Sequence, residues 1–304
     1  MDEESDDVSR RELYSADWHG NDFEPPSALV RAEIGARSHR GRVRQENEDH
    51  YLVLRFGRHQ ETLFTSLSMR DVATRFDEGA YAAVIADGIG GGGAGAVAAR
   101  VAVSTLLQLA LRFGQWNMRV DPQTAGEIME RLEWLYRRTH EAVLTRRLPH
   151  DELARIATTL TAFHSVGADL FVTHVGHSRC YLFRNGELTQ LTSDHTLRER
   201  LTIAPHPADV GEAMEDLKHI LTDLIGARSN PDVAVEHFQL ANNDCLLLCT
   251  NGLTDMVQDE AIADVLASRR APLEQCDQLV DLALANGGED NVTVVLAHYD
   301  IPKM

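Results

Sequence analysis

Apolar residues along the chain follow two periods, and where the period changes the elements can be placed. "HYLVLRF" (50–56) is rich in strand formers and "AYAAVIAD" (80–87) is apolar throughout, as a strand buried on both faces would be. The polar stretch between them predicts a surface hairpin or loop. After the glycines at 88–95, "AVAARVAVSTLLQLALRF" predicts a long helix, apolar on most sides and therefore laid on a sheet. "AGEIMERLEWLYRRTHEAVLTRR" predicts a second, amphipathic helix, with Asp121 and Pro122 as its start signal. From 157 the pattern turns to strands: "ATTLTAFHSV", "ADLFVTHVG", "SRCYLFRNG" and "ELTQLTSD", with Asn185-Gly186 as one tight turn. The segment 195–230 is mixed and irregular. "DVAVEHFQL" and "DCLLLCT" return to strand, "DEAIADVLASRR" and "LEQCDQLVDLALANG" read as helices, and "NVTVVLAHY" closes as a strand. Blocks of strands and helices are segregated, and short turns join successive strands. That combination predicts an α+β fold with antiparallel sheets.

Residues 1–33 do not share this patterning. Five of the first seven residues are acidic, and "NDFEPPS" carries a proline pair. We read this stretch as a disordered acidic tail, with a short arm packing through Trp18 and Phe23 as the alternative. Residues 34–300 are expected to form one domain. No apolar run approaches the eighteen or so residues of a membrane span. No secretory signal opens the chain.

The formal net charge of −18 disfavours nucleic acid, whose phosphates reward clustered Lys and Arg. Dispersed acid can serve solubility alone; acid gathered at one place can hold a cation. The four cysteines lack metal or disulfide spacing, which fits a reducing, cytoplasmic setting.

Four strand-edge turns each offer an oxygen ligand, although each alone also reads as a Gly-rich capping turn or a solvated acidic loop. Asp87 ends a strand and is followed by "GIGGGGAG". Gly88–Gly93 satisfies a dinucleotide-binding spacing, but the acid expected some twenty residues on and the second strand of the unit are both missing. A carboxylate beside an exposed glycine carbonyl suits a hard divalent ion. In "RVRQENEDHYLV", Glu48 and Asp49 precede a strand, and on extended chain only one can face a given ion directly. Arg44, just upstream, can grip a phosphate through its planar fork or be a surface charge. Asp290 lies between a glycine pair and the last strand. Asn251 closes the apolar run 246–249 where a carboxylate would be apt, and His177 sits at the tip of another turn.

In order, the motifs "GRVRQENED", "VIADGIGGGGAG", "ATTLTAF", "LFVTHVGHSRCYLFRNGELTQLTSDHT", "DCLLLCTNGLTDMV" and "GGEDNVTVVLA" resemble the metal-dependent PP2C-type (PPM) serine/threonine protein phosphatases over residues 35–299. The resemblance implies two packed antiparallel sheets flanked by helices. It implies two Mg²⁺ or Mn²⁺ ions bridged by Asp87, with Gly88 and Glu48 at one ion, Asp290 and Asn251 at the other, Asp49 holding metal-bound water and Arg44 holding phosphate. It places a flap over 195–230. His177 and Asn251 stand where the family pattern has aspartates, which implies an absent or altered third ion. The implied partners are phosphoserine and phosphothreonine proteins and a cognate kinase or its substrates, for a monomer acting without membrane or nucleic acid. The alternative is a pseudophosphatase that binds phosphoproteins without useful turnover.

Overall fold

The computed structural model describes residues 30–68, 71–72, 74–90, 93–114, 120–146, 156–202 and 217–302. Its elements, in order, are β1 (Arg31–His39), β2 (His50–Glu61), β3 (Arg75–Ala86), β4 (Gly88–Ile89), α1 (Ala94–Phe113), α2 (Pro122–Thr145), β5 (Ala157–Thr158), β6 (Leu160–Val166), β7 (Asp169–Val175), β8 (Arg179–Arg184) and β9 (Glu187–Gln190). They continue with α3 (Leu197–Thr202), β10 (Ala234–Gln239), β11 (Cys245–Cys249), α4 (Asn251–Thr254), α5 (Asp259–Ala267), α6 (Pro272–Ala285) and β12 (Val292–Asp300).

Ten strands form two antiparallel sheets, β1-β12-β11-β8-β9 and β10-β7-β6-β3-β2, while β4 and β5 pair separately. The two sheets pack face to face, and alternation along β11 explains why its five residues are all buried. Leu246 and Leu248 point into the inter-sheet core with Ile85, Phe163 and Val295. Cys245, Leu247 and Cys249 point outward, under Leu279 and Val280 of α6 and Ile262 of α5. On the far side, Val84 and Leu160 meet Ala98 and Ala102 of α1 and Tyr136 of α2. The result is four layers, helix–sheet–sheet–helix, as the family resemblance implied. Helix α2 starts as predicted, with the Asp121 carboxylate accepting from the Thr124 N–H at 2.8 Å and Pro122 at its first position.

Two expectations change and one is borne out in more detail. Residues 31–33, read as the end of a tail, open β1, which pairs along its length with β12. The rest of that tail, with Trp18 and Phe23, lies outside the described residues, as does 203–216 of the proposed flap. The polar stretch after 50–56 forms the expected surface hairpin, with β2 and β3 pairing out to Glu61 and Arg75. Finally, α1 is long and apolar enough to cross a membrane by length and composition, with a mean hydropathy of 1.6. Its first half is sunk into the core instead, as Ala94, Ala98, Ala99 and Ala102 show.

Candidate active site

Strand ends from both sheets meet at one end of the sandwich. Asp87 follows β3, which lies between β6 and the edge strand β2 in one sheet, and Glu48 and Asp49 lead into β2. Asn251 follows β11, and Asp290 and Asn291 lead into β12, both in the other sheet. His177 lies in the β7–β8 turn, where the chain crosses between the sheets. Gly176 opens that turn at φ 117° with its Cα against Thr159, a conformation and a contact that both exclude a side chain.

The Asp87 backbone is fixed on both sides. Its N–H donates to Thr159 Oγ1 at 3.0 Å, and its carbonyl accepts from the Thr159 N–H at 2.9 Å and from Thr158 Oγ1 at 2.8 Å. Beyond it, a side chain on Gly88 would overlap the Gly95 carbonyl at the start of α1, and one on Gly95 would overlap Gly88 in turn. The paired glycines are therefore what lets α1 close on β4. Burial holds the Asp87 carboxyl well above its usual pKa, and Asp49 and Asp290 add to the effect.

Asp49 spans the two sheets. Its Oδ2 accepts from Thr250 Oγ1 at 2.9 Å and from Thr293 Oγ1 at 2.7 Å, while Oδ1 is buried without a partner. Burial pushes its pKa up to about 7 against the pull of the two hydroxyls. Glu48 is held by its backbone, whose N–H donates to Asn291 Oδ1 at 2.8 Å, and its Oε1 is also buried without a partner. Asn291 Nδ2 in turn donates to the Arg40 and Glu46 carbonyls at 2.8 and 2.9 Å. One amide thus shapes the whole loop that carries Arg44, Glu48 and Asp49.

The two positions that depart from the family pattern are local neighbours of the cluster. Asn251 Nδ2 donates to Asp255 Oδ2 at 3.0 Å, leaving Asn251 Oδ1 buried and unpartnered. His177 Nδ1 lies 4.0 Å from Asp87 Oδ2 and has no hydrogen bond. Burial lowers the His177 pKa, which favours the neutral ring against the opposing pull of Asp194, Asp255 and Asp290. Asp290 uses Oδ1 to accept from the Asn291 N–H and Oδ2 to accept from Arg44 Nη2, each at 2.8 Å.

The structure therefore brings Arg44, Glu48, Asp49, Asp87, Gly88, His177, Asn251 and Asp290 to one end of the sandwich. It adds Thr159, Thr250, Thr293, Asn291 and Asp255, which sequence reading did not single out. Asp255 alone carried a signal, the i, i+4 spacing from Asn251 on a helical turn. Three buried oxygens without hydrogen bonds, on Glu48, Asp49 and Asn251, are unusual in a folded protein and mark a place for a positive ligand. Among the described residues no three His, Cys, Asp or Glu side chains stand close enough together to hold a metal ion by themselves. The donor set is open and mostly oxygen, which fits a hard divalent ion that keeps several waters.

This fold and cleft define a two-sheet sandwich protein with an acidic, arginine-edged site at the strand ends. The chain belongs to the protein phosphatase 2C family, whose description matches residues 68–285. That span includes Asp87, His177 and Asn251; Arg44, Glu48, Asp49 and Asp290 lie outside it. The chain is 32% identical over 269 residues to the serine/threonine protein phosphatase PstP of Mycobacterium tuberculosis, covering 86% of this chain and 44% of that relative. It thus spans less than half of that longer protein. It is 29% identical to the serine/threonine phosphatase stp of Listeria monocytogenes, over 87% of this chain and 95% of the relative. A crystal structure of the PstP catalytic domain in complex with two manganese ions superposes with a TM-score of 0.65 at 29% identity, covering 89% of this chain and 99% of that one.

Proposed function

We propose that this chain is a cytoplasmic protein phosphatase that hydrolyses phosphoserine and phosphothreonine at a centre of two Mg²⁺ or Mn²⁺ ions. The observation that carries this reading is the set of unpartnered oxygens on Glu48, Asp49 and Asn251 around Asp87. Asp87, Glu48, the Gly88 carbonyl, Asp290 and Asn251 would hold the ions, with Asp87 central among them. Bound divalent ions would neutralise the phosphate and provide a nucleophilic water at neutral pH. Asp49, fixed by Thr250 and Thr293, offers Oδ1 to accept a hydrogen bond from water. Arg44, more than half exposed at the edge of the cleft, turns from Asp290 to the phosphoryl oxygens.

A cysteine nucleophile is disfavoured by burial. The thiols of Cys249 and Cys276 are pushed up to about 12, and those of Cys180 and Cys245 higher still. Hydrolysis of a phosphothreonine peptide, measured with added Mn²⁺ and after chelation, tests the reading. Turnover that needs the ion supports it. The amide at 251 and the imidazole at 177 favour a second reading, a phosphoprotein binder, and tight peptide binding without turnover would establish that one.

A further inference from the structure

Helix α1 is unevenly covered. Its first half is buried to Val103, whereas none of the residues 104–113 is fully buried, although they include Leu106, Leu107, Leu109 and Leu111. Between this half of α1, the facing half of α2 and the outer face of β2, β3 and β6 lies a cavity of about 250 Å³. Leu54, Phe56, Leu107, Ala110 and Leu132 form its apolar wall. From Val103 to Gly114 the lined stretch of helix runs about 16 Å at 1.5 Å per residue, so the space is elongated. Apolar cavities in proteins take up apolar molecules; an engineered, enclosed one of roughly 150 Å³ binds benzene, whereas this one is open on one side, with Leu111 at its exposed edge.

Four polar side chains line the same cavity, Arg55, Arg131, Tyr136 and His164, and the Tyr136 hydroxyl is already spent on the Thr173 carbonyl at 3.0 Å. His164 extends from β6 between Phe56 and Phe171, with ring centroids 5.3 and 6.0 Å away. Its Nε2 is buried without a partner. Arg131 of α2 is half-buried and makes no hydrogen bond or ion pair among the described residues. This is notable in a chain with 47 acidic and 29 basic residues. Glu127, one turn before it, is instead bonded by Gln123 at 3.1 Å. A guanidinium beside an apolar cavity, with a spare imidazole nitrogen, matches an anionic head on a hydrocarbon chain.

We propose that the cavity binds a medium-chain carboxylate, its chain along α1 and its carboxylate at Arg131 and His164. The site is separate from the phosphatase cleft, and its occupancy does not depend on turnover.

Titration calorimetry of the full chain with hexanoate, octanoate and decanoate, below the concentrations at which they aggregate, tests this. One molecule should bind per chain, with affinity rising roughly fourfold per added methylene until the cavity is full. Arg131→Gln should weaken decanoate by about tenfold or more and leave decanol unchanged. Ala110→Trp, which fills the space, should abolish both while the circular dichroism spectrum is retained. If that variant does not fold, the chain-length series and Arg131→Gln decide. Absence of saturable binding overturns the proposal, as does equal loss of decanol and decanoate in Arg131→Gln. So does a dimer by sedimentation in which this face is covered by a second copy.

Discussion

Arg44 Nη2 lies 2.8 Å from Asp290 Oδ2, so the arginine proposed to bind phosphate and the aspartate proposed to bind metal are paired with each other. A cation at Asp290 and the Arg44 guanidinium compete for the same carboxylate. Arg44→Ala should therefore act in two opposite ways. The KM for phosphopeptide should rise by about tenfold as a charge-assisted contact is lost. The Mn²⁺ concentration for half-maximal activity should fall, because Asp290 is freed. Kinetics over a grid of peptide and Mn²⁺ concentrations separate the two effects, and a rise in the metal requirement would contradict the competition.

Asp87 carries the sharpest conflict between stability and function. Its carboxyl is buried beside Asp49 and Asp290, which raises its pKa well above the usual range. Without metal, Asp87→Asn should relieve that repulsion and raise the melting temperature, by about 2–4 °C for each kcal/mol gained. The same variant should lose the thermal shift produced by Mn²⁺, together with activity. Scanning calorimetry with and without Mn²⁺ reads both signs in one experiment.

Asn251 answers to a different neighbour. Its amide donates to Asp255, so Asn251→Asp would set two carboxylates where one hydrogen bond stood. We expect this variant to be less stable than the parent in metal-free buffer and to bind Mn²⁺ more tightly. Adding His177→Asp should give a non-additive change in metal affinity if both side chains reach one ion. Calorimetric titration of Mn²⁺ into the four proteins measures the interaction directly, and strict additivity would mean that the two positions act on separate ions.

Burial lowers the His164 pKa to about 4, below the 6.5 of an unstrained imidazole. The folded pKa is depressed, so the unfolded chain binds the proton first as pH falls. The contribution of a neutral His164 is complete above about pH 6.5 and is lost on the way down to about pH 4, a change on the order of 3 kcal/mol. Urea unfolding of the parent and of His164→Phe across this range should show the difference between them shifting towards the variant as the pH falls. A constant difference would mean that the ring does not titrate on unfolding.

Much of this architecture was legible because covered sheets and amphipathic helices impose their periods on the sequence. "CLLLC" was readable as a strand because it is apolar throughout, and the structure shows why: each face of β11 meets a different apolar layer. β1 escaped notice for the opposite reason: it is an edge strand with one fully buried residue in nine, and its polar alternation resembles a loop. The acids at strand ends were visible one turn at a time, and the ordered set of motifs joined them. The roles of Asn291, Thr250 and Thr293 were not visible. They depend on which residues face each other after two distant strands pair, a register that no local pattern encodes.

Asp49 stands at the mouth of one sheet and is gripped by Thr250 and Thr293 of the other. That carboxylate is a rivet through the sandwich, and the proposed catalytic ensemble is mounted across the seam it closes. Asp87 and Glu48 ride on one plate, Asp290 and Asn251 on the opposite one. A slip of the plates too small to expose the core would already pull the two halves of the site apart. Mild denaturant should therefore silence the protein before circular dichroism records any unfolding, and Thr293→Val should widen the gap between those two midpoints.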